Sequence, residues 1–137
     1  MNSSLSRYTG YAYAGMRIIV GLLFATHGAQ KLFGMFGGSG GATGLIMAAG
    51  IIELAAGFLI ALGLFTRPSA FLSSGTMAVA YFMAHAPQGW HPVANKGEPA
   101  VVYCFLFLYM FFAGAGPLSL DSLIGGSRGI TPDVPVV

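Results

Sequence analysis

Glu53 is the residue on which chemistry would turn. It is the one charge within the apolar stretch 44–65. A carboxylate at the centre of a bilayer helix costs about 2.5–3.5 kcal/mol on insertion scales, so it needs a partner, a proton or an aqueous cavity. Gly50 and Gly57 fall at i−3 and i+4 and share its helical face, which lets a neighbouring helix approach closely there. The preceding apolar stretch, 11–33, carries Arg17, His27, Gln30 and Lys31. On a helical wheel Arg17 and Lys31 lie about 40° apart and His27 about 40° beyond Lys31, a single stripe that would satisfy Glu53 if turned toward it. Two expectations follow. Glu53 is either a structural pin, paired with Arg17 or accepting a hydrogen bond from His27, or a proton-accepting carboxylate in a cavity.

A second set of polar residues depends on how often the chain crosses a membrane. With four crossings, His27, Gln30, Lys31, His85, His91, Lys96 and Glu98 emerge on one side with Trp90 beside them. Such a collar above an apolar pocket could hold a quinone head group or a small anion. The expected binding residues are His27, Gln30, Lys31, His85, Trp90 and Glu98, with Glu53, His27 and Lys31 as the catalytic, proton-handling set. No metal is expected, because no two histidines lie at i and i+4 and His85 to His91 spans a Pro-Gly loop. His91 reads as a solvated histidine and His85 as a cap on the last carbonyls of its own helix. On the opposite side Arg67 and Asp121 could form a surface ion pair worth about 0–1 kcal/mol. The aromatic run from Tyr103 to Phe112 reads as packing surface, and Cys104 within it as an inert buried thiol.

Composition says what must position these groups. Of 137 residues, 55% are hydrophobic and only 7% charged, against roughly 25% charged in a soluble domain. A net charge of +2 from six basic and four acidic residues gives no surface for a phosphate backbone, so nucleic acid is excluded as a partner. One cysteine rules out an intrachain disulfide or a CxxC pair. Four apolar stretches, 11–33, 44–65, 68–85 and 99–114, are separated by a glycine-rich segment, by Thr66-Arg67-Pro68 and by HAPQGWHP. The first runs on without a small-x-small cleavage site and reads as a retained helix, not a signal peptide. The tail, 115–137, reads as a short interfacial piece followed by a frayed end. The fold class expected is all-α, a four-helix transmembrane bundle forming a single domain over 1–137 in the lipid bilayer. Arg7, Arg67 and Arg128, with Arg17, fall on one side and Lys31 and Lys96 on the other, which places both termini in the cytoplasm. A solute carrier is disfavoured by the lack of an inverted repeat or paired interrupted helices.

Four segments, GLLFATHGAQKLFG at 21–34, ELAAGFLIALGLFTRPSA at 53–70, KGEPAVVY at 96–103 and GAGPLSLDSLI at 114–124, make the chain resemble the DoxX family of small bacterial and archaeal membrane proteins. The resemblance implies a four-helix membrane bundle. It also implies an association with quinone-linked respiratory chemistry, since relatives look like membrane components of quinol oxidase and thiosulfate:quinone oxidoreductase systems. His27, Lys31, Glu53, Arg67, Glu98 and Asp121 are the polar points of the matching segments. The chain has no haem, flavin or iron–sulfur motif, so its side chains would handle protons while a membrane or soluble redox protein partner supplies the electron carrier. The resulting expectation is a bacterial inner-membrane protein serving a quinone-linked system. The alternative is a non-catalytic accessory subunit of a larger membrane complex.

Overall fold

Glycine marks where the helices stop. In the computed structural model, which describes residues 3–125, Gly34 (φ 69°) and Gly63 (φ 68°) adopt the left-handed conformation that ends α2 (Thr9–Phe33) and α3 (Gly44–Leu62). A single turn, α1 (Ser3–Ser6), precedes them. The helix α4 (Thr66–Ala80) starts directly after Phe65 and widens into a π-helical turn at Tyr81–His85. After the loop, α5 (Glu98–Ala113) opens with Pro99 in its first turn, where the missing N–H costs nothing, and α6 (Leu120–Ile124) closes the described chain. Among the described residues there is no strand.

The apolar stretches became helices with shifted ends. The second stops at Leu62, three residues early, because Gly63 turns left-handed. The third begins at Thr66 and does not continue as α-helix to His85. By length and composition α2 and α3 can cross a membrane, whereas α5 is apolar but only 16 residues long.

The helices pair as two antiparallel hairpins, α2 with α3 and α4 with α5. The first pairs backbone to backbone. A Cβ on Gly28 would stand 2.5 Å from Gly50 O and Leu54 N, and one on Gly21 would stand 2.6 Å from Ala61 N, so only glycine permits this approach. The two hairpins meet through aromatic rings: Phe24 lies 4.6 Å from Phe107 and 5.6 Å from Tyr103, centroid to centroid, and Tyr13 lies 5.9 Å from Tyr109. Ile60, Ala70, Met77 and Met110 complete that core. The outer faces carry exposed Ile19, Leu23, Ile51, Phe58, Phe71, Val79, Phe105 and Phe112, an apolar exterior suited to lipid.

The short piece expected after α5 is held against the helix ends as far as Gly125. Arg17, 0% exposed, donates to the carbonyls of Ile60 (2.6 Å), Ala61 (2.7 Å) and Leu118 (2.8 Å). It thereby caps the C-terminus of α3 and ties the later segment to it. The Asp121 carboxylate accepts from the backbone N–H of Phe65 (2.8 Å) and Thr66 (2.9 Å) at the start of α4, and its own N–H donates to Gly63 O. Arg67 donates instead to Phe111 O at 3.2 Å. The expected Arg67–Asp121 pair is therefore not what either side chain makes: the helix end offers Asp121 two unsatisfied N–H groups, a better match than a solvated cation. Residues 126–137, including the Arg128 used to argue orientation, lie outside the described residues.

Candidate functional site

Lys31 sits in the last turn of α2, and its long stem reaches past Gly50, where a Cβ would stand 3.2 Å from Lys31 Cβ. Its ammonium donates to both oxygens of the Glu53 carboxylate, to Oε2 at 2.5 Å. The two ends of this pair are unequal. The Glu53 side chain is 1% exposed and that of Lys31 33%, so the ammonium reaches the surface of the bundle while the carboxylate does not touch bulk solvent.

His27, one turn earlier on α2, sets its Nδ1 3.1 Å from Gln30 Oε1. Gln30 Nε2 in turn donates to Phe36 O at 3.1 Å, which fastens the glycine-rich turn to the helix end. From α5, Tyr103 presents its ring edge-on to His27 at 6.0 Å and stacks on Phe107 at 5.7 Å. The group His27, Gln30, Lys31, Glu53 and Tyr103 therefore joins three helices. A buried carboxylate paired with an ammonium, with an imidazole and a phenol on neighbouring turns, can hold or pass a proton.

Two expected partners of Glu53 are not used. Arg17 lies 14 residues before Lys31, about 21 Å along the axis at 1.5 Å per residue, and is engaged at the far end of α3. His27 bonds Gln30 and makes no hydrogen bond to Glu53. The collar also divides. His85 Nδ1 lies 3.1 Å from Asn95 O, not on the carbonyls of its own helix, because the π turn carries it over the following loop. Asn95, buried, donates to Gly89 O (2.7 Å) and Tyr81 Oη (3.2 Å) and accepts from Gly97 N–H. Trp90 is exposed on that loop, edge-on to His91, and Glu98 is exposed in the first turn of α5. Among the described residues, His85, Trp90 and Glu98 make no hydrogen bond to the Lys31–Glu53 group. No three His, Cys, Asp or Glu side chains gather as a metal site among them either. A groove of about 600 Å³ opens elsewhere, at the Arg17 end, between Ile18, Leu22, Leu62, Leu118 and Leu123.

Tyr103 and Asn95 were not singled out beforehand. Tyr103 had a signal in being a phenol inside an apolar helix, since a buried hydroxyl needs a reason. Asn95, two residues before Gly97, is the residue type that bonds backbone two positions on.

The family model of DoxX matches residues 12–86, which include His27, Lys31 and Glu53. A protein of Haemophilus influenzae, described as uncharacterized, is 43% identical over 129 residues, covering 88% of this chain and 96% of that protein. A second uncharacterized protein of the same organism is 36% identical over 72 residues, covering 53% of this chain and 48% of that protein. No solved structure matches significantly.

Proposed function

The chain belongs to the DoxX family of membrane proteins, and we propose that it is a bacterial inner-membrane protein serving a quinone-linked respiratory system, with Glu53 handling the proton of the bound head group. In this reading α2, α3, α4 with its π turn, and α5 cross the bilayer as a four-helix bundle. Thr66 to His85 then supplies 20 residues, about 30 Å of helix, enough for the hydrocarbon core. The termini face the cytoplasm, with Arg7 and Arg67 on that side.

The observation that carries the proposal is the Lys31–Glu53 pair, a buried carboxylate held by a cation that reaches the edge of the bundle. A quinone carbonyl needs a hydrogen-bond donor, which Lys31 and His27 supply. A quinol gives up protons as its electrons pass to a redox partner, and Glu53 takes one of them. His85 at the end of the π turn, Trp90 in the loop and Glu98 at the start of α5 would border the head group. A second reading, a non-catalytic accessory subunit, is favoured by one feature: Lys31 and Glu53 satisfy each other without any ligand.

Glu53→Gln separates the two. If the carboxylate moves protons, membranes carrying the variant lose quinone-dependent turnover while the purified protein keeps its helical content and melts cooperatively, only a few degrees lower. A folded, fully active variant contradicts the proposal and leaves the accessory reading.

A further inference from the structure

The face of α4 turned into the bundle is hydroxylated. Thr66, Ser69 and Ser73 stand at i, i+3 and i+7, all buried, and Met77 continues the same stripe one turn on. In a helix such hydroxyls ordinarily bond back to a carbonyl of the preceding turn. Thr26 does so to Leu23 O, and Thr76 to Leu72 O on this same helix. Ser74, beside Ser73, donates to Cys104 O across the interface with α5. Thr66 Oγ1 and Ser73 Oγ, each 0% exposed, have no protein partner, and neither does Arg17 Nε at the end of the bundle where the file begins.

The file climbs α4 toward the depth of Glu53: Ser73 lies seven residues beyond Thr66, and Glu53 nine residues before the end of α3 at Leu62. Its lower end lies at the α3–α4 junction, where Asp121 holds Thr66 N–H and Arg17 holds the carbonyls of Ile60 and Ala61. Its upper end is fixed against α5 by Ser74, which donates to Cys104 O, the residue after Tyr103. Successive hydroxyls are about 4.5 and 6 Å apart along the axis, too far for a direct hydrogen bond and right for one bridging molecule between each pair. Water is the molecule of that size with both donor and acceptor capacity.

We propose that Thr66, Ser69 and Ser73 bind a file of water molecules inside the bundle, from the Arg17 cap to the depth of Glu53, as the internal route by which a proton reaches or leaves that carboxylate. The role of the route rests on the proton-handling reading of Glu53; the binding of water does not. Lys31, on α2, is the titratable group bonded to Glu53; His27 and Tyr103, on α2 and α5, contact each other, and α4 supplies only the neutral, hydroxyl-lined approach.

The test is hydroxyl-radical footprinting of the full-length protein in lipid nanodiscs, with ¹⁸O-labelled water as the probe and Met77 as the reporter. Met77 is buried from bulk solvent, yet it should take up ¹⁸O strongly in the native protein. Ser73→Val should reduce that labelling at least fivefold, and the milder Ser73→Ala at least twofold should the valine variant fail to fold. Ser74→Ala, whose hydroxyl already has a protein partner, should leave it within twofold of native. Absence of label on Met77 in the native protein overturns the proposal, as does equal labelling in all variants. Quinone-dependent turnover is read in parallel. Labelled Met77 without turnover means that the water file exists and the quinone reading is wrong. Turnover with unlabelled Met77 means the reverse.

Discussion

Removing the charge of Lys31 should cost more than removing that of Glu53, although both changes break the same ion pair. In Lys31→Met the carboxylate stays buried at 1% exposure with no cation beside it. Breaking a buried pair in this way costs about 3–5 kcal/mol, and the lower end applies because Glu53 can take a proton. That is roughly a 100-fold shift in the folded-to-unfolded ratio. In Glu53→Gln the amide oxygen still accepts from the ammonium, and Lys31, one-third exposed, can reach the polar edge. The loss is about 1 kcal/mol. Replacing both, Lys31→Met with Glu53→Leu, should return stability to within ~1 kcal/mol of native, since an apolar pair of similar volume needs no desolvation. The assay is reversible unfolding in mixed micelles at rising SDS fraction, followed by far-UV circular dichroism and by the fluorescence of the single tryptophan, Trp90. A Glu53→Gln variant as unstable as Lys31→Met would refute the asymmetry. A double variant no more stable than Lys31→Met would refute the pairing itself.

Other substitutions probe the parts that hold this site. Arg17→Met removes three carbonyl contacts and should destabilise by about 3 kcal/mol or more, releasing the segment from Gly114 to Gly125 to limited proteolysis; Arg17→Lys should recover only part, lacking a planar fork. Gly28→Ala forces a Cβ to within 2.5 Å of the α3 backbone, so a loss of about 1–3 kcal/mol is expected in thermal melts, whereas Gly15→Ala, with nothing within 4 Å, should be neutral or slightly stabilising. Asp121→Asn weakens the cap on α4 by ~1 kcal/mol, measurable as a lowered unfolding midpoint.

Much of the scaffold was legible because membrane helices announce themselves by uninterrupted apolarity and by glycine and proline at their ends. Glu53, Gly50 and Gly57 were legible for the same reason: a charge and two glycines on one face have few physical explanations other than helix contact. The partner of Glu53 was only half legible. A helical wheel places Arg17 and Lys31 on one stripe but discards the axis, and about 21 Å of axis separates a cation that caps α3 from one that pairs with Glu53. What holds the segment after Gly114 was not legible for a related reason. Its glycine and proline content resembles a loose tail, yet Leu118 O and Asp121 complement helix ends far away in sequence, and no local pattern records that. The π turn that aims His85 at Asn95, and the orphan hydroxyls of Thr66 and Ser73, arise from packing between helices and leave no periodic trace.

Native mass spectrometry of the protein released from its own membrane in mild detergent tests the central claim most directly, because it weighs bound small molecules and protein companions together. The expected result is a quinone retained by the native chain and lost in Lys31→Met. A stoichiometric larger complex carrying no quinone would contradict it and make the chain an accessory subunit of its partner.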